Sequence, residues 1–248
     1  MSEATTDAPK KERRKRPGGE LAARPLHFIW LVDCSGSMAF DGKIQALNNA
    51  AREAIPHMRR VAEENPFAQV LIRVLGFSSG AQWHLADPTP VGQFDWTDLD
   101  AGGVTDLGRG LNLLAEQLAI PPMTDRALPP VLVLLSDGQP TDDYETALRA
   151  LMDLPWGKKA VRVAIAIGED ADHEVLARFI GNPELKPLKA TNPEALVNQI
   201  KWVSTAVLQS ASAPASQTAG APAPTANVPI PAPPVEVTDG PESATDVW

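Results

Sequence analysis

Residues 27–37 read HFIWLVDCSGS, and this stretch decides the predicted fold. The run at 27–32 is continuously apolar or aromatic over the length of one strand, and it ends at Asp33, where small polar residues begin. Continuous rather than alternating hydrophobicity is typical of a strand that is covered on both faces, as in a parallel sheet. The stretch therefore predicts a buried strand that leads directly into a polar loop.

The strand pattern recurs along the chain, and segments with helical spacing separate its copies. Apolar residues at intervals of three and four predict helices from Ile44 to Met58 and from Leu107 to Leu118. Shorter helices are predicted at 143–152 and 172–180, and a last helix follows Asn192-Pro193, a cap residue before a proline. The further strand runs lie at 70–77, 131–135 and 161–167, with a short edge strand at 83–85.

Strands that alternate with helices of this length imply right-handed crossovers and helices on both faces of one sheet. The predicted fold class is therefore α/β, with a doubly wound, mostly parallel sheet. We expect one domain at 25–208, a disordered basic arm at 1–24 and a disordered Pro/Ala-rich acidic tail at 209–248, because neither terminal segment has an apolar face to bury.

Composition narrows the classes of partner and location. The net charge is −9, so a nucleic acid is not an expected partner of the folded part. No apolar run approaches the roughly 18 residues that span a bilayer, and the N-terminus lacks a secretory pattern, so we expect a cytoplasmic protein. Cys34 is the only cysteine, which excludes an intramolecular disulfide and a zinc cage made of cysteines.

Oxygen-bearing side chains follow two of the predicted strands and open one helix. Asp33, Ser35 and Ser37 come after the first strand, Asp137 follows the run at 131–135, and Thr105 precedes the helix near Leu107. Ligands of open α/β sheets collect at the carboxyl ends of the strands. Because hard divalent cations prefer oxygen ligands, these five residues predict a Mg²⁺ site, with Mn²⁺ and Ca²⁺ as the alternatives.

The mixture of ligands indicates what such an ion would do. Ser35, Ser37 and Thr105 could supply neutral hydroxyl oxygens, while Asp33 and Asp137 could anchor the waters of the ion. The cation would then be short of direct negative charge, so it gains most from a carboxylate offered from outside. We therefore expect a protein partner that presents an acidic residue to the metal.

The segment Asp33-Cys34-Ser35-Gly36-Ser37 resembles the DxSxS motif of von Willebrand factor A (VWA) domains. Thr105 and Asp137 match the two later positions of the metal-ion-dependent adhesion site (MIDAS) of that family, although Val104 stands where relatives commonly join Gly-Gly directly to Thr. The resemblance covers residues 26–208 and implies a Rossmann-like domain that binds other proteins and is not an enzyme.

Within the family, the chain is similar to the bacterial TerY-like group, which is associated with tellurite resistance. The similarity rests on SDGQPTD at 136–142, AIAIG at 164–168 and KWVS at 201–204. It implies an adaptor, often encoded beside a protein kinase and a PP2C-type phosphatase. A Pro/Ala tail replaces the cysteine-rich extension that some members carry.

Several residues and functions keep an alternative interpretation. Asp142 and Asp143 are interpreted as helix caps and Cys34 as a buried structural residue. A metal-dependent phosphohydrolase and a metal-independent scaffold are the competing functions, and no second metal cluster or nucleophile motif in the sequence favours the first.

Overall fold

The computed structural model describes residues 23–212 and 230–233. The predicted basic arm, apart from Ala23 and Arg24, and the predicted tail, apart from 209–212 and 230–233, lie outside the described residues, so the expected disorder stays a prediction. Within the described part, the first strand begins at Arg24 and the last helical segment ends at Ser212.

A single six-stranded sheet forms the centre of the molecule, in the order β3-β2-β1-β4-β5-β6. All neighbouring strands are parallel except β2 and β3, which form an antiparallel pair. This is the predicted doubly wound, mostly parallel α/β architecture. The strands are β1 (Arg24–Asp33), β2 (Ala68–Ser78), β3 (Gly80–Pro90), β4 (Val131–Ser136), β5 (Val161–Ile167) and β6 (Leu188–Ala190).

Helices cover both faces of this sheet. The helix that begins at Pro193 continues without interruption through a π-helical turn (Val203–Val207) into a final helical segment that ends at Ser212. The helices are α1 (Lys43–Glu64), α2 (Leu107–Leu118), α3 (Tyr144–Asp153), α4 (Pro155–Lys159), α5 (His173–Ile180), α6 (Pro193–Trp202) and α7 (Leu208–Ser212). None of the helices in the described ranges is long and apolar enough to cross a membrane.

The two faces of β1 explain its continuous hydrophobicity. Phe28 and Trp30 pack into a core on the α1 and α6 side, whereas Ile29 and Leu31 pack into a second core with α2 and α5. Side chains alternate between the faces of a strand, so a strand covered on both sides needs apolar residues at every position. The central position of β1 between β2 and β4 follows from this double burial.

The structure differs from the sequence-based expectations at the sheet edges. β3 has 11 residues rather than the three expected at 83–85, because most of its side chains are only half-buried or exposed and give little hydrophobic pattern. β6 was not predicted, since three residues are too few to show a period. The short helix α4 was also missed.

Candidate metal centre

Asp33 and Ser136 end adjacent parallel strands at the same edge of the sheet. Val32 of β1 is in register with Leu135 of β4, which brings the two following residues side by side. The hydroxyl of Ser136 donates a hydrogen bond of 2.6 Å to Oδ2 of Asp33 and accepts one of 2.8 Å from the backbone of Gly138. Ser136 thus ties the first acidic loop to the second.

The Asp33 carboxylate is fully buried and held in a fixed orientation. Its Oδ1 accepts a hydrogen bond of 2.8 Å from the backbone N–H of Ser35. Burial, and secondarily the nearby Asp137 carboxylate, raise the pKa of Asp33 and outweigh the hydrogen bonds from Ser136 and Ser35, which lower it, so that the pKa is about 6. The environment therefore places two carboxylates close together where water cannot screen them.

Asp137 is also fully buried, and both of its carboxylate oxygens lack a hydrogen-bond partner. The chain turns sharply after it at Gly138, whose φ is +70°. An added Cβ at Gly138 would lie 2.8 Å from the carbonyl oxygen of Asp172, so glycine is required here by both conformation and space. A buried carboxylate without partners is costly unless a cation or a donor compensates it.

Two hydroxyl groups of the first loop lie next to these carboxylates. Ser35 is buried and Ser37 half-buried, and their Oγ atoms are 3.0 Å apart. At this distance the two Oγ atoms can form a direct hydrogen bond with each other, and they are also close enough to bind the same ion. The 3₁₀ turn at Gly36–Ala39 fixes both side chains before α1 begins.

The loop before α2 is bonded to the same segment. Gly36 donates a hydrogen bond of 3.0 Å to the carbonyl of Gly103, and Gly102 donates one of 2.8 Å to the carbonyl of Cys34. Thr105 is buried two residues further on, while the additional residue Val104 is 47 % exposed. The extra residue is therefore accommodated at the surface, and Thr105 stays inside the loop cluster.

The donor set of this edge fits a divalent cation. Two buried carboxylates, one of them without partners, supply negative charge, and serine and threonine hydroxyls supply neutral oxygens, which hard cations accept. No group of three or more His, Cys, Asp or Glu side chains within the described ranges is arranged to hold a metal. A site made largely of hydroxyls with only two carboxylates would not form such a group.

Solved structures with the same architecture identify the fold. A von Willebrand factor type A protein from Catenulispora acidiphila matches with a TM-score of 0.55 and 19 % identity over 76 % of this chain. The ArnB paralog VWA2 from Sulfolobus acidocaldarius matches with a TM-score of 0.53 and 20 % identity over 71 % of this chain. The chain has the VWA fold.

A third VWA-fold match comes from the mussel byssus. Proximal thread matrix protein 1, in a structure with a zinc-occupied MIDAS motif, matches with a TM-score of 0.55 and 18 % identity over 76 % of this chain. The chain spans less than half the length of these three structures, namely 43 %, 44 % and 47 %. No protein-family model and no curated protein matches the sequence.

Sequence reasoning missed two residues that hold the VWA loops together. Ser136 bridges Asp33 and Gly138, and Thr141 accepts a hydrogen bond from the backbone of Thr105 through its Oγ1 and donates to Asp106. Both belong to the stretch at 136–142 that carries the resemblance to the TerY-like group. Their position directly after β4 was the available signal.

The two acidic residues at the end of that motif cap two different helices. Asp143 accepts from the backbone of Thr146 and caps α3, as predicted. Asp142 instead accepts from the backbone N–H groups of Gly108 and Arg109, at 2.8 and 2.9 Å, in the first turn of α2. It therefore fastens the β4–α3 loop to the helix that follows Thr105.

Cys34 is a buried free thiol, in agreement with the structural interpretation. Burial, and secondarily the carboxylates of Asp33 and Asp100, raise its pKa to about 12. A thiol that stays protonated is neither a nucleophile nor a metal ligand. Cys34 thus fills space between the loop and Gly76, whose Cβ, if present, would lie 3.4 Å from its sulfur.

Proposed function

We propose that this chain is a cation-dependent protein-binding module and not an enzyme. The observation that carries the proposal is Asp137, a fully buried carboxylate with two unpaired oxygens beside the buried Asp33. A divalent cation at this position would compensate both charges. Mg²⁺ is the proposed ion, with Mn²⁺ and Ca²⁺ as alternatives, and the residues that would hold it are Asp33, Ser35, Ser37, Thr105 and Asp137.

When bound, the ion supplies a positive charge that an incoming carboxylate can coordinate. The residues of this chain position that charge, because Ser136 and the Ser35 backbone hold Asp33 in one orientation and the loop at 102–105 closes over Cys34 and Gly36. The partner is therefore proposed to present an aspartate, a glutamate or a terminal carboxylate.

Binding is favoured over hydrolysis by the chemistry of the surrounding groups. The thiol of Cys34 has its pKa raised to about 12, and Asp142 and Asp143 are occupied with helix N–H groups. None of these three groups is prepared to act as a general base or nucleophile. Turnover of a generic phosphoester that disappears in Asp137→Ala would contradict this assignment and support the phosphohydrolase alternative.

The similarity of the motif at 136–142 to TerY-like proteins suggests which partners to test first. We propose an adaptor role in a bacterial stress-response or signalling system, with a protein kinase and a PP2C-type phosphatase as candidate partners. Their acidic surface residues would supply the ligand carboxylate. A cytoplasmic location accords with this role and is part of the proposal.

Cation binding is tested directly by Mn²⁺ titration, because bound Mn²⁺ loses the EPR signal of the free ion. We expect one site per chain, displaced by Mg²⁺, and at least tenfold weaker binding in Ser37→Ala and Thr105→Ala. Asp143→Asn is the matched control, since it removes a nearby exposed charge while keeping a good cap residue. Equal Mn²⁺ affinity in all four proteins would contradict the proposed ligands.

Partner binding is tested by capture of the candidate kinase and phosphatase on the immobilised full chain. We expect capture in Mg²⁺, loss of capture in EDTA, and loss in Asp33→Ala if circular dichroism shows that this variant is folded. Capture that is unchanged in EDTA would indicate the metal-independent scaffold instead.

A further inference from the structure

A groove lies at the edge of the sheet beside β6, on the side where β5 begins and α5 ends. Its walls include Val163 at the start of β5, Ile180 at the end of α5, Leu188 of β6 and Trp202 of α6. The groove encloses a cavity of about 380 Å³. The groove is well separated from the proposed metal centre. The metal centre lies at the carboxyl ends of the parallel strands, whereas the groove lies near their amino ends, where β5 begins.

The remaining wall is a distant segment of the same chain. Ile230 and Pro233 line the cavity, and Ile230 is half-buried and packs against the core on the α1 and α6 side of the sheet. Ala232, which lies between Pro231 and Pro233 in the sequence, is exposed. The segment 230–233 thus contacts the groove mainly through one apolar side chain.

The composition of this segment suits a peptide that binds by its side chains. Residues 229–234 read PIPAPP, and four prolines among six residues favour an extended polyproline II conformation that loses little entropy on docking. Prolines have no N–H, so the segment cannot simply extend the sheet from β6. Recognition must therefore come from Ile230 entering the groove and from the few remaining backbone donors.

The groove contains an unsatisfied acceptor for such a donor. Gln199 lines the cavity and is 6 % exposed, and its Oε1 has no hydrogen-bond partner, while its Nε2 makes only a long contact of 3.5 Å to the carbonyl of Lys189. Buried amide oxygens are normally paired. This oxygen stays unpaired with residues 230–233 in place, so a second peptide that offers it an N–H would make a hydrogen bond that the tail does not.

Charge favours the same occupant, because the charged side chains that line the groove are three basic ones, Arg162, Lys186 and Lys189, and one acidic one, Glu184. Lys186 and Lys189 are exposed at the rim, and neither forms a salt bridge with a carboxylate in the described part of the chain. The sequence after Pro233 has four acidic residues and no Lys or Arg. The chain that follows the docked segment is therefore electrostatically complementary to the rim.

We propose that this groove is a peptide-binding site for a hydrophobic residue flanked by prolines, and that residues 230–233 are its intramolecular ligand. This inference does not depend on the metal centre. It makes the tail a competitor that a second peptide of the same chemistry has to displace.

The test uses the full chain and a fluorescently labelled peptide of residues 227–236. In the wild-type protein the groove is covered from within, so we expect weak binding of the peptide. Ile230→Glu should release the covering segment, because a charge cannot be buried against the apolar wall, and should bind the peptide at least tenfold more tightly. Ala232→Glu is the matched control and should behave as the wild type.

Two further measurements make the outcome decisive. A peptide with its own Ile230→Glu change should not bind to any of the proteins, and the unfolding temperature of the Ile230→Glu protein should stay close to that of the wild type. Equal peptide binding by the wild-type and Ile230→Glu proteins, or no binding by a folded Ile230→Glu protein, would overturn the proposal.

Discussion

The buried carboxylates of Asp33 and Asp137 have opposite effects on the stability of the folded chain and on its proposed binding of a cation. Two buried carboxylates destabilise the cation-free protein, and the same pair is proposed to hold a divalent ion. We expect Asp137→Asn to leave the cation-free protein as stable as the wild type or to stabilise it, by on the order of 1 kcal/mol. The same change should remove most of the increase in unfolding temperature that the proposed Mg²⁺ site predicts for the wild type.

Thermal unfolding in EDTA and in Mg²⁺ measures both effects. Asp143→Asn should keep the Mg²⁺-induced increase, since Asp143 caps α3 and does not contribute to the buried pair. Loss of stability in EDTA together with a full Mg²⁺ response in Asp137→Asn would show that this carboxylate has a structural role only.

Cys34 gives a second prediction for a single side chain. A pKa of about 12 leaves roughly one thiol in ten thousand ionised at pH 8. We expect no labelling of the native protein by iodoacetamide at that pH and complete labelling at one site in denaturant. Phe40→Cys, at a position that is 68 % exposed, should react rapidly and serves as the positive control. Rapid native labelling of Cys34 would contradict the described burial.

A site residue can be predicted from the sequence when its role follows from its neighbours in the chain. The positions of Asp33 and Asp137 follow from strand patterns that end abruptly, because burial imposes that pattern. The role of Ser136 could not be inferred, since a hydroxyl next to Asp137 serves equally as a ligand or as a tether. Only the register of β1 and β4 shows that it bonds to Asp33.

At the level of helices and strands, Asp142 connects two elements. It accepts from two backbone N–H groups in the first turn of α2, while Thr141 beside it holds Thr105. We expect Asp142→Ala to lower the free energy of unfolding by about 1 kcal/mol, the usual effect of losing a cap. It should also weaken Mn²⁺ binding, because the loop that carries Thr105 loses its anchor.

Asp143→Ala separates the two effects. This change removes the cap of α3 and should destabilise the protein, but Mn²⁺ affinity should remain that of the wild type. Chemical denaturation and Mn²⁺ titration on the two alanine variants supply the comparison. Equal Mn²⁺ affinities in both would show that the α2 contact does not support the loop.

The strands and helices differ in how well the sequence predicts them, and burial explains the difference. β1 is covered on both faces and needs apolar residues at every position, so its apolar run is enough to predict the strand. β3 has one neighbouring strand and many exposed positions, and its antiparallel pairing depends on contacts with β2 that no local pattern encodes. The groove at 230–233 depends on residues far apart in sequence and was likewise not predicted.

At the scale of the whole molecule, His27 makes stability depend on pH. Burial, and secondarily the charge of Arg73, lower its pKa to about 4 from 6.5, so the folded state holds the neutral imidazole. This stability is fully present above pH 6.5 and is lost progressively as the pH falls from 6.5 to 4, because the unfolded chain takes up the proton first. The expected loss at pH 5 is about 2 kcal/mol.

The contribution is measured as a difference between the wild type and His27→Gln in denaturant titrations at pH 7 and pH 5. The wild type should lose about 2 kcal/mol more than the variant over this interval. The comparison cancels the titration of Asp33, whose raised pKa acts in the opposite direction. Parallel losses in both proteins would indicate that His27 is protonated in the folded state.

The irregular pairing of β3 has a consequence for behaviour at high concentration. The register between β2 and β3 shifts twice, between Ile72 and Val74 and between Val74 and Leu75. In addition, the C-terminal half of β3 contains Asp87, Pro88 and Pro90. Such a border offers no straight row of donors and acceptors to another copy. The molecule is therefore protected against edge-to-edge aggregation and fibril growth along this strand.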